Sequence, residues 1–393
     1  MSRLSLAFVS DIVVSTIILI AQVWIARLFH KQWKRQLSPG VAATISAALC
    51  VLWSLVLFGT LLRAAVVQFA LRFIPADVRS AMSAVGNLWG MACVASLGMY
   101  YVWRFLAQDN VIHHSPARRS LIRAAGAAAI AAPFAAAGFG MVERTNFQIK
   151  EIDLPIPGLH PDLEGLRIGQ LSDLHVSPWL SVRDLGRAVD MLNELKPHLA
   201  VVTGDLITQV GDPLDGAIRE LARLRADAGI LGCLGNHEVY ARCQTYTAVQ
   251  ARRYGIEFLR QEARCLHWGN GTLNVAGVDY QRSENIRPYL IGAEKLVVPG
   301  VANLLLSHNP DVFPKAVSKG YGAMLSGHTH GGQVTVEILN QTLNLARFTT
   351  PYVAGLYRLD GRSCYVTAGI GTITVPVRIG APPEITVVRL KRA

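Results

Sequence analysis

The chain has 393 residues, 51% of them apolar, with a mean hydropathy of +0.31 and a formal net charge of +11. That length allows more than one domain. The hydropathy is high for a soluble globule, and the charge falls in short clusters between apolar runs, which excludes a nucleic-acid binder carrying a basic stripe on a folded surface.

Residues 1–142 hold twelve Lys and Arg against three acids, Asp11, Asp77 and Asp109, whereas the remainder is nearly balanced. Four runs in this first third, Ile12–Phe29, Val41–Leu62, Ala81–Leu106 and Leu121–Val142, approach the roughly 20 apolar residues that cross a bilayer. Lys31, Lys34 and Arg35 stand between the first and second runs, and Arg118 and Arg119 between the third and fourth. The second loop offsets Arg63, Arg72 and Arg79 with Asp77. The positive-inside rule therefore makes the first and third loops cytoplasmic. A multi-pass inner (plasma) membrane protein follows, with everything after residue 142 on the periplasmic, extracytoplasmic side. The stretch "ARRSLIRAAGAAAIAAPFAAAG" puts two arginines before an Ala/Gly-rich run over 117–142, the form of a twin-arginine export signal. Ordinary cytoplasmic flanking charge on a fourth helix has the same look, and both readings leave the C-terminal domain outside. No acid falls mid-membrane, so the helices do not read as a transporter. The six cysteines show no CxxC spacing and read as packing residues.

From Asn146 the texture changes to short apolar runs ending in polar turns, and residues 146–393 read as one domain. "LRIGQLSD" (166–173), "LAVVTGD" (199–205), "GILGCLGN" (229–236), "NLLLSHN" (303–309) and "GAMLSGH" (322–328) each read as a buried strand running into a loop. Ser181 and Asp184 form a capping box for a helix presenting Val182, Leu185, Val189 and Leu192, which stops before Pro197. Leu214, Ile218, Leu221 and Leu224 mark a second helical face. Strands alternating with helices give an α/β fold. Beyond residue 330 the pattern is strands alone, in "GGQVTVEIL", "SCYVTAGIG" and "EITVVRL".

Each of the five strands ends on a candidate ligand: Asp173 and His175, then Asp205, then Asn236 with His237, then His308, then His328 and His330. Carboxylates, imidazoles and one carboxamide together suit Mn²⁺, Fe or Zn²⁺. Such a set exceeds one tetrahedral ion and matches two ions sharing a carboxylate. The glycines before Asp205, Asn236 and His328 are expected to turn the backbone sharply so that the side chains converge. Taken singly, an Asp-x-His or a His before Asn-Pro is a turn; the ordered set of five is what points to a metal centre.

This order, D-x-H, GD, GNHE, a lone His and GHTH, resembles the calcineurin-like metallophosphoesterase family over residues 166–335. The tail "GLYRLDGRSCYVTAGIGTITVPVRIGAPPEITVVRL" is similar to its bacterial membrane-associated branch. The resemblance implies a β-sandwich flanked by helices, here preceded by a four-helix transmembrane region. It implies one divalent ion on Asp173, His175, Asp205 and His330, and a second on Asp205, Asn236, His308 and His328, with Asp205 bridging. His237 would bind neither ion and would serve catalysis with Asp205, as a general acid or a cationic stabiliser. Glu238 reads as a helix cap. Divalent ions at such a site polarise a phosphoryl oxygen and lower the pKa of a shared water, giving hydroxide attack on phosphorus.

The implied function is that of a membrane-anchored phosphoesterase, in particular a phosphodiesterase whose substrate is a membrane or envelope phosphoester, possibly lipid-linked. A lipid pyrophosphatase of the UDP-2,3-diacylglucosamine type is the alternative, and it would need a cytoplasmic catalytic domain. A non-catalytic membrane receptor or scaffold is the remote one, and the complete ligand set argues against it. No nucleic-acid partner is expected, and the sequence leaves the oligomeric state open.

Overall fold

The computed structural model describes residues 3–33, 38–41, 43–45, 47, 53–54, 58–59, 73–107, 115–282, 288–338 and 341–393. The chain divides into two compact units, residues 1–141 with 374–376 and residues 142–373 with 377–393.

In the first unit the described residues form three long helices, α1 (Arg3–Trp33), α2 (Ala76–Ala107) and α3 (Pro116–Glu143). Ala21, Ile25, Trp53 and Cys93 close their shared core, and Trp53 meets Trp89 edge-on at 5.3 Å. Large apolar side chains such as Ile20, Phe105, Leu121 and Phe139 remain exposed on the outside. Two of the four predicted spans are long and apolar enough to cross a bilayer, within Ala76–Ala107 and Ser120–Glu143. The first predicted run is only a shorter apolar stretch, Val13–Leu28, inside a helix with polar ends. The second, Val41–Leu62, lies largely outside the described residues. Among the described residues, two candidate spans thus stand of the four expected.

The second unit opens with β1 (Gln148–Ile156), β2 (Arg167–Leu171), α4 (Val182–Glu194), β3 (Leu199–Thr203), α5 (Leu214–Leu221), β4 (Ile230–Cys233), α6 (Asn236–Tyr240), α7 (Gln244–Arg253) and β5 (Ile256–Phe258). It continues through β6 (Glu262–Trp268), β7 (Gly271–Gly277), β8 (Ala302–Leu306), α8 (Phe313–Ser318) and β9 (Ala323–Ser326). A hairpin of β10 (Thr335–Ile338) and β11 (Gln341–Asn344) follows, then β12 (Gly355–Leu359), β13 (Arg362–Val366) and β14 (Glu384–Arg392). Two six-stranded sheets result, in the orders β1-β14-β2-β3-β4-β5 and β12-β13-β9-β8-β7-β6.

The residues explain this layering. In β3, Leu199 and Val201 face the opposite sheet while Ala200 and Val202 face the helices. Apolar side chains on both faces are what a strand buried between two layers requires. Leu154, Ile168, Val201 and Leu231 meet Val275, Leu304, Leu325 and Tyr365 between the sheets. Leu185, Val189 and Leu192 of α4 and Ile218 and Leu221 of α5 cover the first sheet's outer face. Phe313, Ala316 and Val317 of α8 cover the second. The Ser181–Asp184 capping box forms as expected, with Asp184 N–H donating to Ser181 Oγ at 3.1 Å and Ser181 N–H to Asp184 Oδ2 at 3.1 Å.

Candidate metal centre

Every predicted ligand lies just past the carboxyl end of a buried strand: Asp173 and His175 after β2, Asp205 after β3, Asn236 after β4, His308 after β8, and His328 and His330 after β9. Neighbours among these strands run parallel within each sheet. Their loops therefore leave from the same end, the usual place for a site in a parallel sheet.

The backbone there is under strain. Twelve non-glycine residues among those described have left-handed φ, and five of them are predicted ligands: Asp173 (51°), His175 (46°), Asp205 (55°), His328 (79°) and His330 (53°). Each such residue costs on the order of 1–3 kcal/mol and persists only where its surroundings fix it. The preceding glycines act differently from expectation. Gly204 does adopt a left-handed turn, at φ +88°. Gly235 is extended (φ −97°, ψ −170°) and Gly327 has no positive φ, so neither makes the sharp turn predicted for it. Glycine is needed there for room, because a Cβ on Gly235 would collide with Asp205 Oδ1 and one on Gly327 with Asp173 Oδ2.

One ligand atom from each of Asp173, His175 and His330 lies within 4.8 Å of the others, and the same holds for Asp205, His308 and His328. Asn236 joins the second group through Oδ1, 3.1 Å from His308 Nε2. His175, Asp205 and His237 satisfy the same limit, so distance alone does not set His237 apart from the ligands.

The second group shows why a cation fits. His308 Nδ1 donates to the Thr203 carbonyl at 2.7 Å. That leaves Nε2 facing Asp205 Oδ2 at 3.0 Å, Asn236 Oδ1 at 3.1 Å and His328 Nδ1 at 3.1 Å. Lone pairs crowd together this way only around a positive centre, a proton or a metal ion. In the first group His175 Nε2 and His330 Nε2 are buried without a hydrogen-bond partner among the described residues. They stand 3.5 Å from Asp205 Oδ2 and 3.5 Å from Asp173 Oδ1 respectively. Buried polar atoms left unpaired are costly, and the donor set of carboxylate, imidazole and carboxamide is that of a divalent metal site.

Electrostatics favour the neutral ligand form at His175 and His328 and the protonated form at His308. Burial lowers His175 to about 3 and His328 to about 4, so both imidazoles are neutral at physiological pH with lone pairs to give. Burial pushes Asp173 up to about 6. Burial alone would raise Asp205 as well, but His308 beside it holds its carboxylate below the usual range. Burial would likewise depress His308, and the Asp205 charge reverses that and holds it above the ordinary imidazole value.

The loops are fastened by residues whose roles the sequence left open. Thr208 orients two rings: its hydroxyl lies 3.2 Å from His175 Nδ1, and its carbonyl accepts from His237 Nδ1 at 2.6 Å. His175 Nε2 then faces Asp205 Oδ2 at 3.5 Å. Glu238 caps α6, as expected, by accepting from Gly235 N–H at 2.8 Å. It also accepts from the Asp205 and Leu206 N–H groups at 3.0 and 2.7 Å, clamping the Asp205 loop from behind. Burial, with the Asp205 charge adding to it, raises the Glu238 pKa against those three donors. Glu238→Gln would set an NH₂ donor against the buried Leu206 N–H, at a cost of about 2 kcal/mol. The thermal midpoint should fall by several degrees, at about 2–4 °C per kcal/mol for a domain of this size. An unchanged melting curve for the full-length variant would show that the clamp is not needed.

Two tyrosines flank the group. Tyr240 packs edge-on to His237 at 5.5 Å, and Tyr280 lies 5.6 Å from His328 and 6.1 Å from His308. Neither carries a sequence signal beyond being aromatic near a motif.

The two-sheet α/β fold, with carboxylates and imidazoles that fit a divalent ion at its strand ends, is that of a candidate metalloenzyme. The calcineurin-like phosphoesterase family profile matches residues 166–332. The uncharacterized metallophosphoesterase YkuE of Bacillus subtilis (strain 168) is 30% identical over 283 residues, covering 68% of this chain and 94% of YkuE. A transmembrane protein with metallophosphoesterase domain from Danio rerio is 30% identical over 257 residues, covering 63% of this chain and 58% of that protein. Its counterpart in Bos taurus is 29% identical over 261 residues, 62% of this chain and 57% of that protein. The chain thus spans less than two thirds of the length of both animal relatives. It belongs to the calcineurin-like metallophosphoesterase family, whose members are hydrolases of phosphoesters.

Proposed function

We propose that the protein is a membrane-anchored phosphodiesterase using two divalent ions, with its catalytic domain on the extracytoplasmic side of the plasma membrane. One ion would be held by Asp173, His175, Asp205 and His330, and the other by Asp205, Asn236, His308 and His328. The observation that carries this reading is the position of Asp205. Its Oδ2 lies 3.5 Å from His175 Nε2 on one side and 3.0 Å from His308 Nε2 on the other, so one carboxylate reaches both ligand sets. Two such ions supply Lewis acidity and activate water for attack on phosphorus.

The chain's own residues do the rest. Asp173, whose carboxylate accepts from His328 N–H at 2.9 Å and from Ser172 Oγ at 2.6 Å, fixes the two ligand loops against each other. His237 keeps its Nδ1 proton on the Thr208 carbonyl, which leaves Nε2 to hold a proton toward the departing oxygen or to present positive charge to the phosphoryl group. Tyr240 on the His237 side and Tyr280 on the His328 side offer a surface to each of two ester substituents, which supports a diester over a monoester. Apolar helices with exposed outer faces support a substrate in the membrane or envelope, a lipid-linked phosphoester in particular.

The test is hydrolysis by the full-length chain in detergent with Mn²⁺, comparing an aryl phosphodiester with the matching monoester. Faster diester cleavage is expected. Preference for the monoester would overturn the diester assignment, and failure to bind Mn²⁺ would overturn the metal centre.

A further inference from the structure

Among the described residues Arg378 is the largest fully buried side chain, at 1% exposure. A guanidinium taken out of water needs a compensating partner, yet none of the described carboxylates forms an ion pair with it. Its N–H groups go to backbone carbonyls instead. Nε donates to Gly371 at 3.0 Å; Nη1 donates to His330 at 2.8 Å and Ala381 at 3.3 Å; Nη2 donates to Ala368 at 2.9 Å, Gly369 at 3.1 Å and Gly371. Burial lowers its pKa only to about 10, so the charge persists at neutral pH.

These carbonyls belong to segments that shape one ligand set. Residues 368–371 back onto the Asp173 loop: Ile370 N–H donates to the Ser172 carbonyl at 3.1 Å, and Gly371 N–H to the Asp173 carbonyl at 2.7 Å. The fit is tight enough that a Cβ on Gly369 would lie 2.6 Å from Asp173 Cβ. The other segment is His330 itself, held by its carbonyl and with Nδ1 3.4 Å from Nη2. Asp173 and His330 both have left-handed backbones, which need outside bonds to persist. His308 and Asn236 take no bond from Arg378; His308 is anchored on Thr203 and Asn236 on His308.

We propose that Arg378 is a positioning residue for the ion held by Asp173, His175 and His330, fixing that half of the centre and not the half built on Asn236 and His308. The proposal rests on the two-ion reading above. Donors that orient metal ligands typically change affinity by about 10–100-fold when altered.

The full-length chain in detergent is titrated with Mn²⁺ alone, by calorimetry and elemental analysis, beside Arg378→Lys and Arg378→Gln. The lysine variant keeps the buried charge and so guards against simple misfolding. Wild type should bind two ions and give the spectrum of a spin-coupled pair by electron paramagnetic resonance. The lysine variant should weaken one ion by about 10–100-fold with the other unchanged. The glutamine variant should hold one ion with a mononuclear six-line signal. Two ions of unchanged affinity in the lysine variant would overturn the proposal. So would equal weakening of both ions with a lowered melting point, which marks a structural role only. Wild type binding fewer than two ions would overturn the two-ion reading itself, and this proposal with it.

Discussion

Asp205→Ala should abolish metal binding at both positions and reduce phosphoester hydrolysis by about 10³-fold or more, the scale seen when a member of a cooperating catalytic unit is lost. Its Oδ2 lies 3.5 Å from His175 Nε2 and 3.0 Å from His308 Nε2 while Oδ1 accepts from His237 N–H at 2.9 Å, whereas Asp173 Oδ1 stands farther from His308 Nε2, at 4.0 Å. Removing it takes away a carboxylate ligand and leaves His308 without the negative charge that faces it at 3.0 Å. Elemental analysis of the purified full-length variant decides the matter. Two ions retained at wild-type affinity would mean that Asp205 bridges nothing.

His237→Ala should have the opposite profile. The ring is anchored on Thr208 and contributes its Nε2 to the mouth of the site, next to Tyr240. Its loss is expected to leave both ions bound while turnover falls by about 10²–10⁴-fold, the usual contribution of a positioned acid or base. A substrate with a very acidic leaving group should recover much of that loss if His237 supplies a proton, and little if it supplies charge. Loss of an ion in this variant would place His237 among the ligands, which its distance to His175 and Asp205 permits.

The strands that carry ligands were legible because central strands are short continuous apolar runs, and a strand such as Leu199–Thr203 is buried on both faces. β6 and β1 were not legible: "EARCLHW" lies at a sheet edge with half-exposed residues, and "QIKEIDLPI" is exposed over its first half. Pairing with the distant β14 makes β1 a strand, and the hairpin with β7 makes β6 one, more than their own patterns do. The ligand positions were readable because each follows a strand directly. Thr208, the wider grip of Glu238 and the burial of Arg378 were not, since each depends on which loops meet in space. One signal was available for Arg378: a single arginine within the otherwise apolar "ITVPVRIGAPP" is poorly explained by an exposed strand.

The sheet order has a consequence for biosynthesis. β14 lies between β1 and β2, paired in parallel with β1 from Gln148↔Glu384 to Ile156↔Arg392 and antiparallel with β2. The last of the described strands in chain order is therefore an interior strand, and β1 has no other neighbour in its sheet. A nascent chain halted before Glu384 leaves β1 unpaired and the Leu154–Leu390 core open. The catalytic domain cannot close stepwise behind the ribosome. It stays open until β14 has emerged, so whatever receives the nascent chain meets either an unfinished domain or a completed one.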